Sequence, residues 1–162
     1  MPLLTKATSL AIINTINKNL VPKFIYFTKI KFLKKKLFYI TKIKKYFKND
    51  IIIRSSALNE DNKIESNAGA YDSFLIRKNN FDQIENYILK MINKFKNNND
   101  QILIQNFIFN PEISGVLFTK DKTTNSHYYD INYDTSGKSN LITSGKFNPT
   151  IKSLIIYKYS KL

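Results

Sequence analysis

Two apolar periods share this chain, and their order restricts the folds open to it. Up to residue 50, apolar residues recur at helical spacing: Ala7, Leu10, Ile13 and Ile16, then Leu33, Leu37, Ile40, Ile43 and Phe47. One more such stripe follows in Phe81, Ile84, Ile88, Met91 and Phe95. Past residue 100 the pattern changes to short β-branched and aromatic runs broken by turn residues. The spacing predicts helices over 6–19, 30–48 and 81–96, with Pro22 closing the first and Asn80 capping the third. Strands are predicted over 23–28, 51–56, 70–77, 101–109, 113–119, 127–133, 140–143 and 151–159. A polar loop occupies 57–69, and hairpin turns are expected at Asn110-Pro111 and from Asp121 to Asn125. Helices early and paired strands late make an α+β pattern with a mostly antiparallel second half. No repeat or linker is visible. The 162 residues read as one domain with three regions: residues 1–49, basic and helical; residues 50–78, strands and a loop; and residues 80–162, a helix followed by β-rich sequence.

Charge is unevenly placed along this order. The net charge is +14, and residues 1–49 hold twelve lysines and no acid. The rest of the chain is close to balance, with fourteen basic side chains against twelve acidic ones. A basic segment can meet nucleic acid or anionic lipid. The plainer reading is a solvated lysine face in a sequence rich in Lys, Asn and Ile, as an AT-rich genome encodes. No membrane partner is expected, and nucleic acid is the weaker alternative. Cysteine is absent, which excludes disulfides, thiolate metal sites and cysteine nucleophiles. Met1 to Lys6 lack a charged start followed by an apolar run, so no signal peptide is read, and a cytoplasmic location is expected.

Against this lysine background, Arg54 is one of two arginines. It follows Ile51, Ile52 and Ile53 and precedes Ser55, Ser56 and the acidic pair Glu60 and Asp61. A small-residue loop, Asn67, Ala68, Gly69 and Ala70, comes next, then a strand containing Ser73. A guanidinium offers a fixed fork of donors that suits phosphate oxygens. A glycine-containing loop can lay backbone N–H groups over the same phosphates. Any one of these residues alone would be an ordinary strand end and polar turn; their conjunction points to a nucleotide. Gln105 interrupts an apolar run, where an inward amide needs a partner: the backbone, or a ligand. Asp130, Asn132 and Asp134 alternate on one strand face, which suits either solvent or a cation held by oxygen.

Other motifs fail on inspection. Thr135-Ser-Gly-Lys-Ser139 lacks the first glycine of a P-loop, because position 132 is Asn132. Gly145-Lys146 is followed by Phe147. His127 is the single histidine, which with no cysteine argues against zinc, and the lack of a Gly-x-Ser-x-Gly elbow argues against a Ser–His–Asp hydrolase.

At these residues the chain resembles the nucleotide-binding domain of pyruvate, phosphate dikinase and phosphoenolpyruvate synthase, an ATP-grasp fold. The resemblance runs through Ile53-Arg-Ser-Ser-Ala57, Glu60-Asp61, Asn67-Ala-Gly69 and Asp72-Ser-Phe-Leu75. It continues in Ile104-Gln105 and Gly115-Val-Leu-Phe-Thr-Lys-Asp121, with lysine where the family has arginine, and begins at Lys6-Ala-Thr-Ser-Leu10. The tail around Ile131 to Gly145 is similar to a branch of kinase-like proteins from bacterial surface-polysaccharide loci, which includes an L-glutamine kinase. The resemblance implies ATP and Mg2+ as cofactors. It places Lys6 and Arg54 on the phosphates, with Ser55 and Ser56 beside them. Asn67, Ala68, Gly69 and Ala70 would cover the phosphates, with Ser73 alongside and Gln105 near the adenine. The family's magnesium carboxylate falls near Asn132, which is not one, so Asp130 and Asp134 are the neighbours to consider. The family's phosphohistidine motif has no counterpart here. The resemblance therefore implies an N-terminal segment of a longer enzyme, with a separately encoded C-terminal phosphohistidine domain as partner and a small acceptor such as pyruvate or glutamine. The alternatives are a non-catalytic remnant and a basic nucleic-acid-binding module.

Overall fold

A computed structural model describes residues 4–57, 73–121, 123–137, 142 and 149–159. The expected phosphate cover at Asn67, Ala68, Gly69 and Ala70, the pair Glu60-Asp61, and most of the strand expected at 140–143 lie outside the described residues. The chain divides into two compact units, Met1–Phe107 and Ile108–Leu162. The third region read from the sequence spans both. All strand pairs among the described residues are antiparallel, and the protein is of the α+β class.

The first unit is built on four strands: β1 (Phe24–Thr28), β2 (Ile51–Ser56), β3 (Phe74–Ile76) and β4 (Gln101–Asn106). Their order across the sheet is β1-β4-β2-β3. Side chains alternate along a strand, so Ile51 and Ile53 share one face with Ile102 and Ile104 of β4. Four α-helices belong to this unit among the described residues: α1 (Lys6–Ile16), α2 (Lys29–Lys34), α3 (Lys36–Tyr46) and α4 (Ile84–Asn93). Phe32 of α2, Ile43 of α3, and Ile84, Ile88 and Met91 of α4 close over the isoleucine face in one buried cluster. Each such side chain contributes about 1.5–3 kcal/mol when fully withdrawn from water. This cluster is the core that fixes the strand register.

Local chemistry sets the helix ends. Thr5 caps α1, its hydroxyl accepting from the Thr8 N–H, and Thr28 caps α2 in the same way. The single helix expected over 30–48 is instead two, broken at Lys35 (φ −142°, ψ 46°). No proline or glycine sits there. Lysine pairs at Lys31–Lys34 and Lys31–Lys35 weaken the helix by a few tenths of a kcal/mol each. The larger cause is packing. Phe32 and Tyr39 both lie against Phe27, with their own ring centroids 6.3 Å apart. Seven residues of straight helix would separate their Cα atoms by about 10.5 Å, so the break draws the two rings toward one strand residue. The helix expected at 81–96 begins later, after a 3-10 turn over Lys78–Gln83. Asp50 anchors that turn: it accepts from the Lys78 N–H and pairs with the Arg77 guanidinium, both at 2.8 Å.

The second unit is a three-stranded sheet, β5 (Ser114–Phe118), β6 (Tyr128–Asp134) and β7 (Lys152–Tyr157), in the order β5-β6-β7. The turn expected from Asp121 to Asn125 closes the β5–β6 hairpin, with Asn125 in the left-handed region (φ 57°). Asn110-Pro111 does not close a hairpin, because β4 and β5 belong to different sheets. Gly115 is required in β5: a Cβ there would stand 2.8 Å from the Asn132 carbonyl oxygen. No helix among the described residues is long and apolar enough to cross a membrane.

Candidate functional site

Strand β2 sorts the candidate residues by parity. Ile51, Ile53 and Ser55 belong to the core-facing set, and Ile52, Arg54 and Ser56 to the opposite face. The ladder sets Ser56 opposite Gln101, Arg54 opposite Leu103, and Ile52 opposite Gln105. Residues paired across a ladder share a face. Arg54, Ser56, Gln101 and Gln105 therefore line one side of the sheet, away from the apolar cluster. Continuing the β2–β3 register by one residue from Ile53 opposite Phe74 brings exposed Ser73 alongside Arg54.

The first turn of α1 is tied to the end of this strip. The buried Ser56 hydroxyl accepts the Ala7 N–H at 2.8 Å and donates to Gln101 Oε1 at 3.4 Å. The Thr5 hydroxyl donates to the same Gln101 oxygen at 2.8 Å. One serine thus satisfies an N–H that the helix cannot satisfy internally. Leaving such a buried donor unmet costs about 1–3 kcal/mol. Lys6 precedes Ala7 and Arg54 lies two residues before Ser56, so one hydrogen bond brings both cations to the same end of the sheet. Lys6 and Arg54 are half-buried.

The two arginines have different fates. Arg77 is paired with Asp50. That contact and the Lys78 N–H hold the Asp50 carboxyl below its usual range. The Arg54 guanidinium has no hydrogen-bond or ion-pair partner among the described residues. Farther along the same face, Gln105 Oε1 is buried without a hydrogen-bond partner, as is Asn106 Oδ1. Gln105 does not bond the backbone, which was the plainer expectation for it.

In the second unit, Asp130 and Asn132 lie together on β6. The Asn132 amide N–H donates to Asp130 Oδ1 at 3.0 Å, and Ser153 donates its hydroxyl to Asn132 Oδ1 at 2.6 Å. This leaves one Asp130 oxygen clear for a cation among the described contacts, while the Asn132 oxygen is already engaged. Asp134 is wholly buried; it accepts from the Ser136 N–H, the Ser136 hydroxyl and the Thr150 hydroxyl. These bonds hold the turn that follows β6. No group of three or more metal-ligating side chains occurs among the described residues. Of the two residues expected near a magnesium ion, Asp130 keeps an oxygen without a described partner and Asn132 does not. His127 packs its ring on Tyr159, with centroids 5.6 Å apart.

Residue type alone did not single out Thr5 or Gln101 for this site. Thr5 carried a usable signal, a hydroxyl directly before a helical stripe. Gln101 carried none, since its role follows from strand register alone.

The fold and this face define an α+β protein with a helix N-terminus, a half-buried arginine and an unpaired amide on one side of an antiparallel sheet. No protein-family model matches the sequence, and no curated protein matches it.

Proposed function

We propose that this face of the first unit binds ATP, as the nucleotide-binding portion of an ATP-grasp-like phosphotransferase of the dikinase type. The observation that carries the reading is Arg54: a half-buried guanidinium with no partner among the described residues, two positions from the hydrogen bond that pins the start of α1. The strip from Gln101 to Gln105 covers four residue steps, about 13 Å at ~3.3 Å each, with the buried Leu103 between its ends. Gln105 Oε1 at one end accepts from an exocyclic amine of the base. Arg54 and Lys6 neutralise the phosphates toward the other end. Phosphoryl transfer depends mainly on such positioning and charge neutralisation. Magnesium arriving with the nucleotide would add to that charge neutralisation. The phosphoryl group would pass to a histidine of a separately encoded domain and then to a small acceptor. His127 is the chain's sole histidine and its ring packs at a tilt against Tyr159, so it is not assigned that task.

A second reading is a nucleotide-binding remnant without turnover. Asn132, standing where the resemblance places a magnesium carboxylate, favours it. Single-turnover hydrolysis, with and without an added phosphohistidine domain, separates the two.

Isothermal titration of the intact chain with magnesium-ATP tests binding itself. Arg54→Ala should weaken affinity by about 10- to 100-fold, the loss of charge-assisted hydrogen bonds, with the circular dichroism spectrum unchanged. Equal affinity in a folded Arg54→Ala protein would refute the assignment.

A further inference from the structure

Helix α3 carries a second surface that the nucleotide reading does not use. Its inner side is conventional: Ile43 is fully buried, and Tyr39 and Ile40 pack on the core. Its outer side is not. Leu37 is 80% exposed and Phe38 56% exposed, and with Thr41, Lys42 and Lys45 they line one shallow groove. These five residues fall at i, i+1, i+4, i+5 and i+8, a single helical stripe. The Lys42 ammonium lies 5.9 Å from the Phe38 ring centroid. Lys36 is paired with Glu85 at 3.6 Å. Lys42, Lys44 and Lys45 are exposed and have no acidic partner among the described residues. The first acid in the chain is Asp50.

A solvated lysine face explains the charges and leaves the two apolar side chains unexplained. Nucleic acid explains the charges and gives Phe38 a base to stack on, but offers Leu37 nothing. The surface calls for a partner that is anionic at one depth and apolar just beneath. We propose that the outer stripe of α3 docks on an anionic lipid bilayer surface, with Leu37 and Phe38 entering the acyl boundary and Lys42, Lys44 and Lys45 meeting the headgroups. A helix with a charged face and exposed apolar tips lies in the interface plane, and each lysine there adds an increment of attraction to anionic lipid. The contact is peripheral and spans nothing. It does not depend on the nucleotide assignment, since α3 covers the core face of the sheet and Arg54 lies on the other.

Flotation of the full chain tests this with vesicles of phosphatidylcholine, alone or mixed with phosphatidylglycerol. Binding is expected only to the mixed vesicles, falling steeply with salt, and free glycerophosphate should not displace it. Lys42→Gln with Lys45→Gln should weaken it about 30-fold. Leu37→Ser with Phe38→Ser keeps every charge and should weaken it by more than about tenfold. Both pairs are exposed, so the circular dichroism spectrum should be unchanged. Binding that ignores the Leu37 and Phe38 changes would overturn the proposal. So would tight binding of an oligonucleotide or an acidic peptide with no capture by mixed vesicles.

Discussion

The two units hold themselves together by different means. The first buries a continuous cluster of isoleucine, phenylalanine and methionine between a sheet and three helices. The second has no α-helix among its described residues, and its strands leave Leu154 48% and Ile155 67% exposed. Its order comes from carboxylates placed at turns. Asp121 accepts from the Thr123 N–H, the Thr124 N–H and the Thr124 hydroxyl, and Asp134 gathers Ser136 and Thr150. Apolar burial is tolerant of pH and intolerant of cavities; turn carboxylates behave the other way round. A rigid apolar unit suits a site that must hold a guanidinium and an amide at fixed positions.

The largest expected difference comes from paired truncations. Ile88→Ala removes a fully buried side chain from the first unit and should cost about 2–5 kcal/mol in denaturant unfolding. Leu154→Ala removes a half-exposed one from the second and should cost under about 1 kcal/mol. Similar losses from both would mean that Leu154 is covered, and the contrast between the units would fail.

A smaller effect should appear on acidification. The Thr124 backbone N–H, the Thr124 hydroxyl and the Thr123 N–H hold the Asp121 carboxyl below its ordinary value of 3.8. Its folded pKa is depressed, so its contribution is fully present above pH 3.8 and is lost as pH falls through the lower folded value. The β5–β6 turn should therefore loosen below that pH in the wild type. Asp121→Asn should remove the step, read by the amide resonances of Thr123 and Thr124. An unchanged step in that variant would assign it to another carboxylate.

Much of the first unit was legible in the sequence. The run of Ile51, Ile52 and Ile53 with its polar ending marked β2 to the residue, because β-branched runs with a sharp polar edge have few other uses. The core stripe of α4 was legible for the same reason, through its helical period. The break at Lys35 was not, since its cause is a meeting of Phe32 and Tyr39 on Phe27 across the fold. The division after Phe107 was hidden because Asn110-Pro111 has the composition of a hairpin turn, and composition does not say which sheet the next strand joins. Within the site, Arg54, Ser56 and Gln105 could be singled out by residue type. Their placement on one face, and the bond from Ser56 to Ala7, needed the register.

Amide hydrogen exchange of the full chain, with and without magnesium-ATP, tests the central claim most directly. The account predicts slower exchange at Lys6 to Thr8, along Ile52 to Ser56 and at Gln101 to Gln105 when the nucleotide is present, with α3 unchanged. Bound nucleotide that leaves these amides untouched, or that protects the lysine helix instead, would contradict it.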